Sequence, residues 1–528
     1  MSNLSRIQKY FPFLLYGIFA IFLFQFRANL DRNGLYVSSD GAIKLIQTVQ
    51  YKEKGYLQNE CLYPSKDIDP NYAWFPISYP WALLQKGETE TRCVFEYPPF
   101  FYWLGAFFHT FLSLEWILFL PLCFYVLAMF VLDRLLTEIQ IKTIYRIVFV
   151  FFYFFSFPLL TAMDYTESPS FLFLYLLGFF YFVRSIKFGK IWGDEYSPLV
   201  VSGVFLGLSF FLRLEILIPF AMLCLVYLLT YRDFKKTFVL GISFSMVVSL
   251  CLVYHYVVSG HILGFRYVSS IDYNQNASPS LLARASLLKA YLWGDHLMVG
   301  LLTFNPFVYL LIFGTFLMRF IFGNSRSGTV FYLSGLFSLF IIPLYITFYG
   351  GVGYFGLRYL EAPVLLLLIG FCLYFVKFLQ NTSTWAKLSI LLPLLALFYF
   401  NFLSTREGLK VLRNASRDLA SLHSHFTDSK QYVVHTSLYS SIWMGKSYFH
   451  KRHLLTSNQE DFNHFLGIVE KGETFTVIES PKNIYISPDI PLSLHARYLT
   501  NIQFDANVIQ HRKTMNMYGV NIHQFQKQ

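Results

Sequence analysis

The chain has 528 residues, of which 55% are hydrophobic, 20% are aromatic and only 14% are charged, and its mean hydropathy is +0.46. A soluble protein of this size needs much more charge to cover its surface, so the composition excludes that class and indicates an integral membrane protein. The net charge of +11 does not indicate nucleic-acid binding, because the lysines and arginines flank apolar runs, as they do in loops beside an anionic membrane surface.

The apolar runs predict a mainly α-helical, polytopic bundle with about eleven membrane-spanning helices of roughly 20 residues each. The first run is too long for the core of a signal peptide and has no small-residue cleavage site after it, so we interpret it as an anchor. In chain order, the predicted spans are Tyr10–Phe26, Glu115–Leu132, Ile147–Ala162, Ser168–Val183, Leu199–Leu212, Leu214–Tyr231, Phe238–Val258, Leu297–Phe320, Val330–Phe348, Leu360–Phe378 and Leu388–Phe402.

The distribution of basic residues predicts the orientation of these spans. If the N-terminus is inside, the basic flanks of the later spans also fall inside; they are Arg134, Lys142, Arg146, Arg184, Lys187, Lys190, Arg232, Lys235, Lys236, Arg326 and Lys387. The apolar segment Pro99–Leu114 is short and begins within a Pro-Pro pair. A crossing there would place every later basic loop on the opposite side of the membrane. We therefore expect this segment to be interfacial or re-entrant in the outer leaflet.

Two larger segments then lie outside the membrane. Residues 1–403 form the predicted membrane domain, which includes a first outer loop over residues 27–98, and residues 404–528 form a small outer α/β domain. The second segment contains a predicted helix over Arg406–His425, a second helix around Phe462–Val469, and short strands at Tyr432–Val434, Phe475–Ile478 and Ile484–Ile486.

Six cysteines are present. Cys61 and Cys93 share the first outer loop, where they are either joined in a disulfide bond or remain two free thiols. The other cysteines lie in apolar spans, where we expect inert packing; they are Cys123, Cys224, Cys251 and Cys372.

The first outer loop also carries two acidic candidates. Asp40 comes just before a stretch with helical spacing of Ile43 and Ile46; it is either a helix N-cap or a general base at the membrane surface. Glu96 precedes Tyr97-Pro98-Pro99 and a run of aromatic residues. An aromatic belt would account for the rings, but it would leave Glu96 without a role.

Two further motifs place charges at the outer ends of spans. Asp164 and Glu167 lie in a short loop without basic residues. Either Thr166 or Ser168 caps the next helix with an acid in its first turn, or the two acids belong to a substrate-binding site. Arg213 and Glu215 separate two apolar runs. Charged residues at such positions are functional candidates, and the alternative is a local structural ion pair.

A last motif, Arg358-Tyr359, precedes a late span. The arginine is either an interface anchor or a phosphate ligand, for which its planar fork is suited. Each of these motifs is weak alone, but together they place acids and isolated arginines on one side of the membrane. This arrangement suits a reaction with an anionic lipid at the outer surface.

In their order along the chain, these motifs resemble the GT-C glycosyltransferases, the superfamily that includes the protein O-mannosyltransferases and the lipid A aminoarabinose transferases. The resemblance covers most of residues 1–403. It rests on the first-loop acid, Glu96-Tyr97-Pro98-Pro99, the Thr166-Glu167-Ser168 turn, the segment from Gly203 to Glu215, and Arg358-Tyr359 with Pro363.

The resemblance implies a multi-span fold and a sugar donor linked to a polyprenyl phosphate. By position, Asp40 matches the catalytic acid of the first loop, Glu96 matches the acid before the Pro-Pro pair, and Arg358 matches a late basic residue associated with the donor phosphate. This chain departs from the family pattern twice. Gly41 follows Asp40 where many members have a second acid, and Tyr97 stands where some have a basic residue.

The expected function is the transfer of a sugar from the polyprenyl-phosphate donor to a glycan, lipid or protein acceptor at the outer face. The chain has no sizeable cytosolic domain for a nucleotide sugar, so a lipid must carry the donor across the membrane. The other hypotheses are a polymerase or ligase of lipid-linked glycans, a transporter or flippase, and a structural membrane protein. The C-terminal domain has no Cys/His metal-ligand spacing, and a divalent metal is left open as a cofactor. The expected location is the bacterial inner membrane, with the site and the C-terminal domain on the periplasmic side.

Overall fold

The computed structural model is mainly helical. It describes residues 2–30, 39–77, 81–86, 91–188, 195–265, 280–295, 298–345, 355–383, 385, 389–427, 432–441, 444–480, 497, 502–517 and 520–528. In chain order its helices are α1 (Ser2–Asn29), α2 (Ser39–Lys54), α3 (Phe100–His109), α4 (Leu114–Ile117), α5 (Leu120–Glu138), α6 (Thr143–Phe154), α7 (Phe157–Ala162), α8 (Ser168–Phe188), α9 (Ser197–Phe210), α10 (Leu217–Tyr231), α11 (Phe234–Ser259), α12 (Leu281–Trp293), α13 (Leu301–Phe304), α14 (Phe307–Phe322), α15 (Arg326–Tyr345), α16 (Glu361–Asn381), α17 (Leu391–Thr427), α18 (Leu438–Ser441) and α19 (Gln459–Ile468). Short 3₁₀ helices cover Leu214–Ile216, Phe355–Leu360 and Gly445–Phe449.

Within the described residues, 7 helices are long and apolar enough to cross a membrane: Tyr10–Asn29, Leu114–Glu138, Ser168–Ile186, Leu214–Tyr231, Phe234–Ser259, Arg326–Tyr345 and Leu357–Asn381. Three shorter apolar helices, α6, α9 and α14, coincide with further predicted spans. The last predicted span forms the first part of α17, which has 37 residues. The prediction of a polytopic helical membrane protein is confirmed, although length and hydropathy together mark seven segments rather than eleven.

The segment after the Pro-Pro pair folds as α3, which has only 10 residues. A helix of this length is about 15 Å long, roughly half the thickness of the hydrocarbon core. It is therefore too short to cross the membrane. This length agrees with the expectation that Pro99–Leu114 does not add a span.

Small residues allow the long helices to approach each other closely. A Cβ atom at Gly335 in α15 would lie 2.8 Å from the backbone nitrogen of Leu367 in α16, and one at Gly370 in α16 would lie 2.7 Å from that of Tyr332. Contacts of this kind are typical of membrane helices, whose association depends on close packing because lipid is as apolar as their side chains. α16 is consequently one of the most buried helices, whereas fewer than a third of the residues in the apolar part of α11 are buried.

The chain divides into two compact units. The first, which contains the helical bundle, comprises Met1–Phe26, Phe119–Val253 and Ser278–Val411. The second comprises Arg27–Leu118, Tyr254–Ala277 and Leu412–Gln528. The first outer loop and the C-terminal region thus belong to one unit. The predicted boundary at residues 403/404 falls inside helix α17, and the division into residues 1–403 and 404–528 stays a prediction.

The second unit contains two sheets. A hairpin joins β1 (Ala82–Lys86) to β2 (Thr91–Phe95), and the C-terminal sheet contains β3 (Tyr432–His435), β4 (Arg452–Leu455), β5 (Thr474–Glu479), β6 (Ile509–Met517) and β7 (Val520–Lys527). The order in the larger sheet is β4-β3-β5-β7-β6, in which β3 is parallel to β4 and β5 whereas β7 is antiparallel to β5 and β6. Two of the predicted strands are present as β3 and β5. The third, Ile484–Ile486, lies outside the described residues.

The first outer loop is attached to the C-terminal sheet through Trp74. The backbone nitrogen of Leu455, at the end of the edge strand β4, donates a hydrogen bond of 2.8 Å to the carbonyl oxygen of Trp74. The indole nitrogen donates to Asp461 at 3.3 Å, and the indole packs edge-on against His464. Two segments that are distant in sequence therefore share one folded unit.

Candidate functional site

In the second unit, Asp40 lies in the first turn of α2, and neighbouring side chains hold its carboxylate in place. Its Oδ1 atom accepts a hydrogen bond of 2.6 Å from the Tyr97 hydroxyl and one of 3.0 Å from the Trp81 indole. The side chain keeps 24% of its surface exposed. Because α2 begins at Ser39, Asp40 occupies a position inside the helix. These contacts favour an oriented carboxylate over a simple helix cap.

Helix α2 is buried along most of its length, although it contains many polar residues. Lys44, Gln47, Thr48 and Gln50 are all fully buried. Gln47 donates a hydrogen bond of 3.1 Å to the carbonyl oxygen of Tyr97, and Gln50 donates one of 2.9 Å to the carbonyl oxygen of Gln58. Buried polar groups require such partners. The helix therefore forms a polar core beneath Asp40.

Glu96 follows β2 and is 3% exposed. Its backbone nitrogen donates a hydrogen bond of 3.0 Å to the carbonyl oxygen of Trp81, the residue whose indole holds Asp40. The structure thus connects the two acidic candidates of the first loop through Trp81. The catalytic role of Glu96 stays a prediction.

A disulfide bond joins Cys61 and Cys93, whose Cα atoms are 5.2 Å apart. Of the two arrangements that the sequence left open, the structure has the bonded one. Cys93 lies in β2, and the backbone nitrogen of Cys61 donates a 2.8 Å hydrogen bond to the Cys93 carbonyl oxygen. The bond therefore attaches the segment after α2 to the hairpin that leads to Glu96.

In the first unit, Arg213 lies between α9 and α10 and is the centre of a buried ionic cluster. Its Nε atom is 2.6 Å from a Glu215 carboxylate oxygen, and its Nη1 atom donates to Ser168 Oγ at 2.9 Å. The same Nη1 atom lies 3.6 Å from a carboxylate oxygen of Glu361, which is itself 1% exposed. The local ion pair that the sequence suggested is present, and it extends to a third element.

Tyr359 connects this cluster to Arg358. The guanidinium carbon of Arg213 lies 5.0 Å from the centre of the Tyr359 ring, and that of Arg358 lies 5.3 Å from it. Both arginines therefore contact one aromatic ring, as in cation–π interactions. The structure brings Arg213, Glu215, Arg358 and Tyr359 together in the first unit. The sequence had predicted only that they lie on the same side of the membrane.

The acidic loop before α8 also contributes to this unit. Asp164 is fully buried, and Glu167 lies close enough to Arg213 to interact with it electrostatically. The hydroxyl of Thr166 donates to the carbonyl oxygen of Thr161 at 3.0 Å. Ser168 accepts from Arg213. The contacts of Ser168 thus connect the start of α8 to the ionic cluster, and the roles of Asp164 and Glu167 in substrate binding stay predictions.

Sequence reasoning did not identify Glu361, Lys44 or Trp81. Glu361 accepts a 3.3 Å hydrogen bond from Thr161 as well as pairing with Arg213. A signal for it existed, because it is an acid at the beginning of an apolar run, the same criterion that selected Glu215. Lys44 and Trp81 carry no comparable signal, because their importance depends on their contacts with Asp40.

In the described part of the chain, no group of three or more His, Cys, Asp or Glu side chains is arranged to hold a metal ion.

Comparison with solved structures finds the same architecture elsewhere. The crystal structure of ArnT from Cupriavidus metallidurans bound to undecaprenyl phosphate matches this chain with a TM-score of 0.58 and 12% identity, over 97% of each chain. The apo form of the Archaeoglobus fulgidus oligosaccharyltransferase matches with a TM-score of 0.53 and 11% identity, over 89% of this chain and 70% of that chain. The chain has the GT-C fold.

The fold class that the motif order implied is therefore confirmed over almost the full length. No protein-family model matches the chain, and no curated protein is similar to it in sequence. At 12% identity the likeness to ArnT concerns the GT-C fold, and the activity is argued below from the residues of this chain.

Proposed function

We propose that the protein is a membrane glycosyltransferase that transfers a sugar from a polyprenyl-phosphate donor to a hydroxyl of a glycan, lipid or protein acceptor. The observation that carries this proposal is the match of the full chain to a structure of ArnT that was determined with undecaprenyl phosphate bound. Two groups of residues supply the chemistry that the reaction needs. They are the oriented carboxylate of Asp40 and the arginines around Tyr359.

Asp40 acts as the general base. The acceptor hydroxyl oxygen attacks the anomeric carbon while its proton passes to the carboxylate of Asp40. The bond between the anomeric carbon and the phosphate oxygen breaks, and the polyprenyl phosphate leaves with the electron pair. Attack from the face opposite the phosphate inverts the anomeric centre. The bonds from Tyr97 and Trp81 both reach Oδ1, so we assign the proton to Oδ2.

Arg358 is the residue that binds the donor phosphate. A planar guanidinium suits a phosphate, and stabilising the negative charge that develops on the leaving oxygen lowers the barrier. Arg213 has a different role, because Glu215, Glu361 and Ser168 already occupy its Nε and Nη1 atoms. Arg213 therefore positions Tyr359, and through its ring Arg358, rather than contacting the phosphate.

The reaction takes place on the outer side of the membrane. The basic residues flank the spans on the opposite side, and the Cys61–Cys93 disulfide suits an oxidising compartment. We assign the protein to a bacterial inner membrane, with the second unit on the periplasmic side. A donor carried by a lipid is required there, because nucleotide sugars are made in the cytosol.

A second candidate function is a ligase or polymerase that transfers a lipid-linked glycan rather than a single sugar. The observation in its favour is the similarity to the Archaeoglobus fulgidus oligosaccharyltransferase. The residues would have the same roles, and the two functions differ in the size of the donor.

The test is transfer by the purified protein in lipid nanodiscs with a panel of polyprenyl-phosphate sugars that carry a radiolabel. We expect one donor to release polyprenyl phosphate in the presence of acceptor extract and Asp40→Asn to abolish the release. The panel includes polyprenyl-linked oligosaccharides, whose exclusive use would favour the ligase. If no donor of either size is consumed but one is moved between leaflets, the protein is a flippase.

A further inference from the structure

Lys44 is a buried charged group in the second unit that has no role in the mechanism above. Lys44 lies in the middle of α2, four residues after Asp40, and its side chain is fully buried. Lysine is almost never fully buried unless it is paired, because removing an ammonium from water is costly. Its burial beside a candidate general base therefore needs an explanation.

Two contacts of Lys44 lie within the Asp40 site. Its Nζ atom is 3.8 Å from Oδ2 of Asp40 and 5.0 Å from the centre of the Tyr97 ring. The distance to Oδ2 is longer than a hydrogen bond, so Lys44 acts on the carboxylate through its charge. Tyr97 thus contacts both partners, because its hydroxyl donates to Oδ1 of Asp40 and its ring lies beneath the ammonium.

We propose that Lys44 is a positioning residue that keeps Asp40 ionised and oriented before the acceptor binds. This inference rests on the proposed role of Asp40 as the general base. A neighbouring cation favours the carboxylate form of an acid, and only that form can accept the proton of the acceptor. Tyr97 and Trp81 orient the carboxylate through Oδ1, and the Lys44 charge stabilises it on the side of Oδ2.

The variants that test this role remove the charge in two ways. Lys44→Met keeps the length of the side chain without polarity, and Lys44→Gln keeps a hydrogen-bond donor without charge. Lys52→Met is the matched control, because Lys52 lies two turns further along the same helix and is exposed. Each variant is compared with the wild-type protein in nanodiscs between pH 4 and 9.

The readout is the pH dependence of transfer with the preferred donor. We expect the acid limb of kcat/KM to move to higher pH by about one unit in both Lys44 variants, with about a tenfold loss on the acidic side. Lys52→Met should leave the limb in place. A merely structural role of Lys44 predicts a uniform loss at all pH values, and a limb that does not move overturns the proposal.

A second measurement does not depend on transfer. A carbodiimide with an amine nucleophile labels protonated carboxyl groups, and mass spectrometry of the Asp40 peptide gives the labelling against pH. The labelling midpoint should rise by about one unit in the Lys44 variants. If the protein transfers no sugar but this midpoint moves, the proposed function fails while the pairing holds. Unchanged midpoints overturn the pairing itself.

The Lys44 variants lose the buried partner of an ion pair, which can prevent folding. The double variant Asp40→Asn/Lys44→Met removes both charges and should fold better than Lys44→Met alone. Size-exclusion chromatography and thermal unfolding measure this difference. Recovery in the double variant supports the pair, whereas a double variant that is as unstable as the two single changes combined overturns it.

Discussion

Asp40 in the second unit and Arg213 in the first unit are both charged residues at the ends of helices, but their neighbours differ. Asp40 receives two hydrogen bonds from neutral donors on one oxygen and keeps about a quarter of its surface exposed. Arg213 is 3% exposed and pairs with the carboxylates of Glu215 and Glu361. The first arrangement orients a group that still reaches a substrate, and the second neutralises a group inside the protein.

This difference separates residues that react from residues that hold others in place. An oriented, partly exposed carboxylate can take a proton from an acceptor. A guanidinium with two carboxylates is already compensated, and its removal leaves buried charges behind. We therefore expect changes at Asp40 to affect mainly the rate and changes at Arg213 to affect mainly the stability.

The largest effect is expected for Asp40→Asn. An amide cannot take the proton, so the transfer rate should fall by roughly 10²–10⁴-fold. Some stability should also be lost, because the buried Lys44 loses its ionic partner. The measurement is turnover of the donor, with thermal unfolding recorded on the same sample. Activity within a few-fold of the wild type would make Asp40 a structural residue and leave Glu96 as the next candidate.

Arg213→Ala tests the other side of the comparison. The change leaves Glu361 buried without its cation, so the free energy of unfolding should fall by about 3–5 kcal/mol. Chemical denaturation in detergent measures it. The control is Arg184→Ala, whose partly exposed ion pair with Glu138 should contribute less than about 1 kcal/mol. A stable Arg213→Ala protein that loses donor binding would instead place Arg213 on the phosphate.

The disulfide bond tests how much the loop around Asp40 depends on a covalent link. Cys61 and Cys93 are 32 residues apart, and opening a loop of that size should cost about 3–4 kcal/mol in the chain-entropy model. The double change of both residues to serine is compared with Cys123→Ser, which alters a free cysteine. Equal thermal stability of the two variants would contradict a stabilising role of the bond.

Arg358→Ala should weaken donor binding rather than folding. The loss of a charge-assisted contact of about 1.5–3 kcal/mol corresponds to a rise of roughly 10- to 150-fold in the KM for the donor. Arg358→Lys should recover part of it, because lysine keeps the charge but lacks the planar fork. Arg326→Ala is the control, since that exposed arginine lies at the start of α15. Normal donor kinetics in Arg358→Ala would rule out the phosphate assignment.

The smallest effect concerns the stability of the C-terminal sheet in acid. His435 in β3 is fully buried, and its Nε2 atom lies 2.9 Å from Nδ1 of His453. Burial lowers the pKa of His435 to about 3. The unfolded chain takes up this proton near the usual pKa of about 6.5, so stability is complete above that pH and falls below it.

At pH 5 the expected loss is on the order of 2 kcal/mol. Thermal unfolding of the full chain at pH 7.5 and pH 5 measures it. The variant His435→Gln has no titrating ring at this position and should depend less on pH than the wild type. An equal pH dependence of the two proteins would show that another group is responsible.

Much of this fold follows from local sequence. Runs of apolar residues must form helices in lipid, because every backbone polar group needs an internal partner there. The shortness of Pro99–Leu114, together with the later basic loops that a crossing would move to the other side, predicted that it does not cross. Strands β3 and β5 were predictable because they are short apolar runs between polar residues. Strand β6 was missed, since the polar run of His511, Arg512 and Lys513 interrupts its apolar residues.

The sequence also selected Arg213 and Arg358, because charges at the ends of apolar runs are unusual enough to be noticed one at a time. It selected Asp40 because this acid precedes a stretch with helical spacing in the first outer loop. Only the tertiary structure decided what these residues do. The burial of Lys44 depends on Tyr97, and the neutralisation of Arg213 depends on Glu361. Both of these neighbours lie far away along the chain. The electrostatic state of a side chain depends on the neighbours that folding brings to it, and the spacing of residues along the sequence does not identify those neighbours.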